Sequence, residues 1–302
     1  MNTLLAEIEQ LKKEKNAAIL AHYYVNDEVQ AIADYIGDSF YLSKIAKTIP
    51  EQTIVFCGVS FMGESAKILS PDKKVLMPDM SADCPMAHMA SAGKIDEIRR
   101  QYDDLAVVCY INSTAELKCR SDVCVTSSNA VKIVKALSNK NIFFIPDGNL
   151  GRHVAEQVPE KNFIFNDGCC PIHAGISAQQ LQAEKGQHPD ALVLSHPECE
   201  KGVLALSDYI GSTAGIIDFA KNSNSDEFII CTENGIAYRL KADNPDKHFY
   251  FSAPCPCCRD MKLNSLENVL TCLMNETNTV EISEDVRRKA LIPLDRMLEL
   301  AK

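Results

Sequence analysis

Apolar residues in this chain come in short unbroken runs, and between the runs they recur at helical spacing. Ala17 to Tyr24 is a β-rich run, Asp27 to Ile32 reads as a short helix, Tyr35-Ile36 as a short strand and Phe40 to Ile49 as a helix. Thr53 to Val59 follows as a strand, Phe61 to Leu69 as a helix and Lys74 to Met77 as a strand. Unbroken apolar strands alternating with helices predict an α/β chain whose parallel sheets are covered on both faces.

The pattern then repeats. Thr53 to Val59 matches Asn141 to Asp147 and Glu227 to Glu233, at steps of 88 and 86 residues. Lys74 to Asp79, Asn162 to Asp167 and His248 to Ala253 keep the same steps. Asp34-Tyr35-Ile36-Gly37 returns letter for letter as Asp208-Tyr209-Ile210-Gly211, with Asp122 in register between them. Features that agree on one register indicate three homologous units of about 87 residues, longer than solenoid repeats but found by the same self-comparison. The expected fold is three homologous three-layer α/β/α units with parallel sheets around a pseudo-threefold axis. The units cover residues 1–104, 105–190 and 191–263, and residues 264–302, which have no counterpart in the repeat, form a C-terminal helical brace.

Composition narrows the function. A chain of 302 residues with 46% hydrophobic content can bury a large core. A formal charge of −10 without a basic block argues against nucleic acid or an anionic membrane as partner. Met1 to Lys15 has the spacing of an amphipathic helix and not of a signal peptide, and no apolar run approaches the roughly 20 residues that span a bilayer. The expected location is cytoplasmic. Thirteen cysteines in such a chain point to metal-binding, catalytic or buried thiols in place of a disulfide framework.

Three of those cysteines follow the repeat. Cys84, Cys170 and Cys258 are 86 and 88 residues apart, and each lies just beyond the last strand of its unit. Ligands of parallel sheets bind beyond the carboxyl ends of the strands, so the three sulfurs are expected to converge. Register selects Cys170 over Cys169, and Cys258 over Cys255 and Cys257. Cys255 and Cys258 form a C-x-x-C that alone would suggest zinc or a redox disulfide, and oxidation there would remove a ligand. A second C-x-x-C for a four-thiolate zinc site is missing. Three thiolates suit a 4Fe-4S cluster, which keeps one iron open as a Lewis acid. The remaining cysteines (57, 109, 119, 124, 199, 231 and 272) read as small buried apolar residues.

Polar residues share the symmetry. His22 and Ser39, Tyr110 and Ser127, and His196 and Thr213 are each 17 residues apart. Each pair sets a hydrogen-bonding side chain at the end of a first strand and a hydroxyl at the start of a second helix, a pattern that makes an anion site. Asn112 shares a strand face with Tyr110. Glu198, two residues from His196 across a proline, suits a general base. His88, His153, His173, His188 and His248 read as structural or surface residues.

These residues resemble the quinolinate synthases over essentially the whole chain. The motifs that carry the resemblance include Ala21-His22-Tyr23-Tyr24, Gly37-Asp38-Ser39, Cys84-Pro85-Met86-Ala87, Tyr110-Ile111-Asn112-Ser113-Thr114, Cys170-Pro171-Ile172-His173, His196-Pro197-Glu198-Cys199 and Gly211-Ser212-Thr213. The resemblance implies a transferase of NAD biosynthesis that condenses iminosuccinate with dihydroxyacetone phosphate to quinolinate, phosphate and water. It implies a 4Fe-4S cluster on Cys84, Cys170 and Cys258. Substrate would be held by His22, Ser39, Tyr110, Asn112, Ser127, His196 and Thr213, with Glu198 as acid/base and Tyr24 as a second active-site group. An L-aspartate oxidase is the implied functional partner, as source of iminosuccinate. Two readings compete: an iron-sulfur hydro-lyase without a phosphate site, and a zinc- or cluster-bearing redox sensor.

Overall fold

The computed structural model describes residues 2–302, so Met1 of the expected N-terminal helix lies outside the described residues. Three four-stranded sheets are present, every pairing in them is parallel, and all three have the same strand order. The first holds β1 (Ala17–His22), β2 (Tyr35–Gly37), β3 (Thr53–Cys57) and β4 (Lys74–Leu76) in the order β2-β1-β3-β4. The second holds β5 (Leu105–Tyr110), β6 (Val123–Val125), β7 (Asn141–Ile145) and β8 (Asn162–Phe165) in the order β6-β5-β7-β8. The third holds β9 (Leu192–Ser195), β10 (Tyr209–Ile210), β11 (Glu227–Cys231) and β12 (His248–Phe251) in the order β10-β9-β11-β12. Helices flank each sheet, which explains why the central strands are apolar without alternation: every residue of β1, β3 and β5 is buried.

The repeated aspartate has a structural cause. Asp34, Asp122 and Asp208 each precede the short edge strand of their sheet. Their main-chain N–H groups donate to the carbonyls of Ile19, Val107 and Val193. Their carboxylates accept the N–H of those same residues, at 2.8, 2.7 and 2.8 Å. Each acid therefore pins the short edge strand to the central one, and Lys12 and Arg99 add charge pairs at 2.7 and 2.8 Å to Asp34 and Asp122. Asp122→Ala removes two hydrogen bonds to a charged acceptor. The expected cost is about 1.5–3 kcal/mol of stability in urea unfolding, with the metal content unchanged.

The C-terminal segment forms helices Leu266–Asn275 and Glu284–Leu300. The second packs Ala290, Leu294 and Met297 against the first two units. Between the helices, Val280 N–H donates to Val75 O at 2.8 Å and Met77 N–H to Asn278 O at 3.1 Å, which covers the free edge of β4. Asn264, fully buried, donates to Gly58 O and Met261 O, both at 3.0 Å, and so ties the end of the third unit to the first.

Candidate metal and substrate site

The three sheets point their carboxyl ends at one cavity, and each unit supplies the same four kinds of wall. From the ends of the first strands come His22, Tyr110 and His196; two residues further on come Tyr24, Asn112 and Glu198. From the beginnings of the second helices come Ser39 and Thr213, from the turn ahead of the corresponding helix comes Ser127, and from beyond the fourth strands come Cys84, Cys170 and Cys258. Cys169, Cys255 and Cys257 do not line it.

Each of the three cysteines precedes a short helical turn: Pro85–His88, Pro171–Ala174 and Arg259–Lys262. Burial pushes the Cys84 thiol up to about 12, the Cys258 thiol up to about 11, and Cys170 well above the ordinary range, with Glu198 adding to the effect at Cys170. Thiols this costly to ionise alone become thiolates when a cation is bound. Among the described residues, the one trio of ligand atoms within 4.8 Å of one another is Cys170, His173 and Glu198. The three register cysteines are thus spaced more widely than a single ion requires. The donor set fits a multinuclear cluster better than one zinc ion.

Ser39 and Thr213 are the first residues of helices Ser39–Thr48 and Thr213–Asn222, but they are not the caps. Asp38 and Ser212 cap those helices, accepting from Tyr41 N–H at 2.9 Å and Gly215 N–H at 3.2 Å, which leaves the Ser39 and Thr213 hydroxyls facing the cavity. The second unit departs from expectation. Its helix begins at Ala130, three residues after Ser127, because Asn129 accepts the N–H of Thr126 at 2.7 Å and holds Ser127 in a turn. Ser127 still reaches the cavity, where its hydroxyl lies 3.2 Å from His196 Nε2.

The two strand-end histidines are held alike. Tyr24 N–H donates to His22 Nδ1 at 3.2 Å and Glu198 N–H to His196 Nδ1 at 3.4 Å, which makes each Nδ1 an acceptor and each Nε2–H a donor. Burial holds both imidazoles down at about 3, against the pull of Glu198. Acidification therefore protonates these rings in the unfolded chain, below its ordinary histidine range, before it does so in the folded one. Stability contributed by the pair is complete above about pH 6.5 and falls as pH drops from there toward 3. His22→Gln should flatten the dependence of unfolding free energy on pH across that window, measured by urea denaturation of the metal-free protein.

The largest difference from the sequence reading is at His173, which that reading made structural or surface and which is not at the surface. It is buried in the cavity wall, its Nδ1 2.7 Å from Glu198 Oε2 and 3.2 Å from Cys170 Sγ. Its Nε2 lies 2.8 Å from Thr232 Oγ1, which is 2.7 Å from the Tyr24 hydroxyl, itself 2.7 Å from Thr213 Oγ1. Residues of all three units thus form one buried hydrogen-bonded chain from Glu198 to Tyr24. Burial opposes the charge on Glu198, but His173 and His196 outweigh it and hold the carboxyl down at about 2. Burial also raises the Tyr24 hydroxyl well above its ordinary range, against its two threonine partners. Glu198 Oε1 and Asn112 Oδ1 are buried acceptors on this cavity without a hydrogen-bond partner. Elsewhere the sequence reading of the cysteines needs one change: Cys119 is half-buried, its Sγ 3.2 Å from Val286 O.

A family model described as "NadA: Quinolinate synthetase A protein" matches residues 6–299. The chain belongs to the quinolinate synthetase A family. It is 54% identical over 295 residues to a "Quinolinate synthase" of Fusobacterium nucleatum, covering 97% of this chain and 98% of that one. Proteins of the same name from Caldicellulosiruptor bescii and Clostridioides difficile are 51% and 50% identical, each covering 99% of this chain and 99% and 98% of their own. The family likeness spans all three units and most of the C-terminal brace. No described helix is long and apolar enough to cross a membrane.

Proposed function

We propose that this chain is a quinolinate synthase, condensing iminosuccinate with dihydroxyacetone phosphate to quinolinate, inorganic phosphate and water in NAD biosynthesis, with a 4Fe-4S cluster on Cys84, Cys170 and Cys258. The observation that carries the reading is the convergence, in one buried cavity, of three symmetry-related thiols, neutral donors and two buried acceptors without partners. When bound, the cluster supplies an open iron that acts as a Lewis acid toward a hydroxyl or carboxylate.

The protein's own groups do the rest. Nε2–H of His22 and of His196, with the hydroxyls of Ser39, Ser127 and Thr213, donate to carboxylate and phosphate oxygens without putting a competing buried cation in the site. Glu198 Oε1 and Asn112 Oδ1 accept from the nitrogen or hydroxyls of the substrate. Tyr110 and Asn112 fix the substrate from the second unit. Proton transfer follows the hydrogen-bonded chain: Tyr24, held protonated by burial, gives its proton to the substrate and is resupplied through Thr232 from the His173–Glu198 pair. In this arrangement Tyr24 is the acid that meets substrate, and Glu198 works as acid/base through His173. Ring closure and loss of water then take place where the cavity wall excludes solvent.

The test is consumption of dihydroxyacetone phosphate by the anaerobically reconstituted protein. Inorganic phosphate released only when iminosuccinate is present supports the condensation. A hydroxy acid dehydrated with no phosphate released would favour the hydro-lyase reading, and zinc in place of iron and acid-labile sulfide would favour the sensor. Supply of iminosuccinate by an L-aspartate oxidase remains part of the proposal and rests on the family resemblance alone.

A further inference from the structure

Two residues beyond the end of the third strand of each unit is a position that repeats through the chain as Val59, Asp147 and Glu233. In the second and third units the acid at that position reaches the next loop. Asp147 Oδ2 accepts the main-chain N–H of Cys170 at 3.1 Å, and Glu233 Oε1 accepts that of Cys258 at 3.1 Å. Their other oxygens accept N–H groups of their own helix starts, Leu150 at 2.7 Å and Gly235 at 2.6 Å. Both acids are almost fully buried, at 0% and 1% exposure, so these bonds are not shared with bulk water.

The first unit has valine at that position and obtains the same bond differently. Asp83, beside the ligand in sequence, accepts the N–H of Cys84 at 2.8 Å and is fixed by the Ser60 hydroxyl and by His88 Nε2 at 2.6 Å. A main-chain tie completes the pattern in all three units. Ser60, Gly148 and Asn234 donate to the carbonyls of Ala82, Gly168 and Pro256, each two residues before a ligand cysteine, at 2.8, 2.7 and 2.8 Å.

We infer that Asp83, Asp147 and Glu233 are positioning residues for the metal centre: each clamps the backbone of one cysteine so that its thiol is aimed before metal arrives. This rests on the assignment of Cys84, Cys170 and Cys258 as ligands. The physical case is that a unit without the repeat acid has recruited another to the same N–H, which a bond serving only the local fold would not require. Groups that orient metal ligands govern retention of the metal, and hydrogen bonding around ligand sulfurs governs the electronic properties of a cluster.

An amide has one acceptor oxygen, so Asp147→Asn or Glu233→Gln must leave one of two N–H groups facing another donor. In reconstituted holoprotein, each substitution should speed release of iron to a chelator by about 10-fold and alter the electron paramagnetic resonance spectrum of the reduced centre. Asp147→Glu, which places in the second unit the acid that the third unit uses, should recover part of both. Asp208→Asn is the control: it weakens the same kind of carboxylate bond, to Val193 N–H, outside the cavity wall. It should lower fold stability and leave release and spectrum unchanged. If a buried variant does not fold, Asp83→Ala, at a side chain that is 43% exposed, removes the acceptor of the Cys84 N–H and gives the same readouts in the first unit. Wild-type release rates and spectra in the clamp variants, or equal acceleration in Asp208→Asn, overturn the inference. A wild-type chain that takes up no iron and sulfide overturns the ligand assignment and the inference with it.

Discussion

Cys170→Ala, reconstituted anaerobically with iron and sulfide, is expected to retain only background iron and to lose the broad visible absorbance of a cluster, whereas Cys169→Ala keeps both. Adjacent cysteines make this a sharp comparison, because the two substitutions are the same chemically and differ only in direction. Cys170 lines the cavity and its main-chain N–H is held by Asp147, while Cys169 lies outside the lining, its N–H directed at Met89 Sδ. The third unit offers the same contrast, with Cys258 on the cavity and Cys257 exposed. A cluster with three protein thiolates has none to spare, so loss of one ligand removes most of the binding free energy that would hold it. Cluster retained in Cys170→Ala and lost in Cys169→Ala would reverse the assignment.

Glu198→Gln should lower turnover by a factor on the order of 10²–10⁴ while iron and sulfide content stay at wild-type levels, and His173→Ala should lower turnover per bound cluster by as much. Glu198 Oε2 accepts from His173 Nδ1 at 2.7 Å, and this bond sets His173 Nε2 to face the Thr232 hydroxyl, which in turn is bonded to that of Tyr24. Glutamine is nearly the same size but cannot balance the charge of an imidazolium in a buried site. Alanine at 173 removes the only ring that joins the carboxylate to the hydroxyl pair. The two losses should be far from additive in the double variant, since both interrupt one relay. Turnover unchanged in either single variant, with full metal content, would remove the relay from the mechanism.

Much of this was legible in the chain because the three units solve the same local problems with the same residues. The Asp34, Asp122 and Asp208 register is visible because each acid makes the same bond to a central strand. The cysteine register is visible because Cys84, Cys170 and Cys258 each follow the fourth strand of their unit. What stayed hidden is where the symmetry breaks. His173 has Ala87 and Met261 as its counterparts, so the repeat gives no sign that a histidine there faces the cavity. Thr232 is a strand-end hydroxyl whose value depends on Tyr24 and His173 arriving from two other units. Ser127 was misplaced onto a helix because the turn that delays that helix depends on a single side chain, Asn129. In each case a contact between units, or one local hydrogen bond, decided what periodicity alone could not.

One measurement bears most directly on the whole account: mass spectrometry for quinolinate after the reconstituted wild-type chain is mixed with freshly generated iminosuccinate and dihydroxyacetone phosphate. The account predicts quinolinate from the wild type and from Cys169→Ala, and none from Cys170→Ala. No quinolinate from wild-type protein that carries its full complement of iron and sulfide would contradict it.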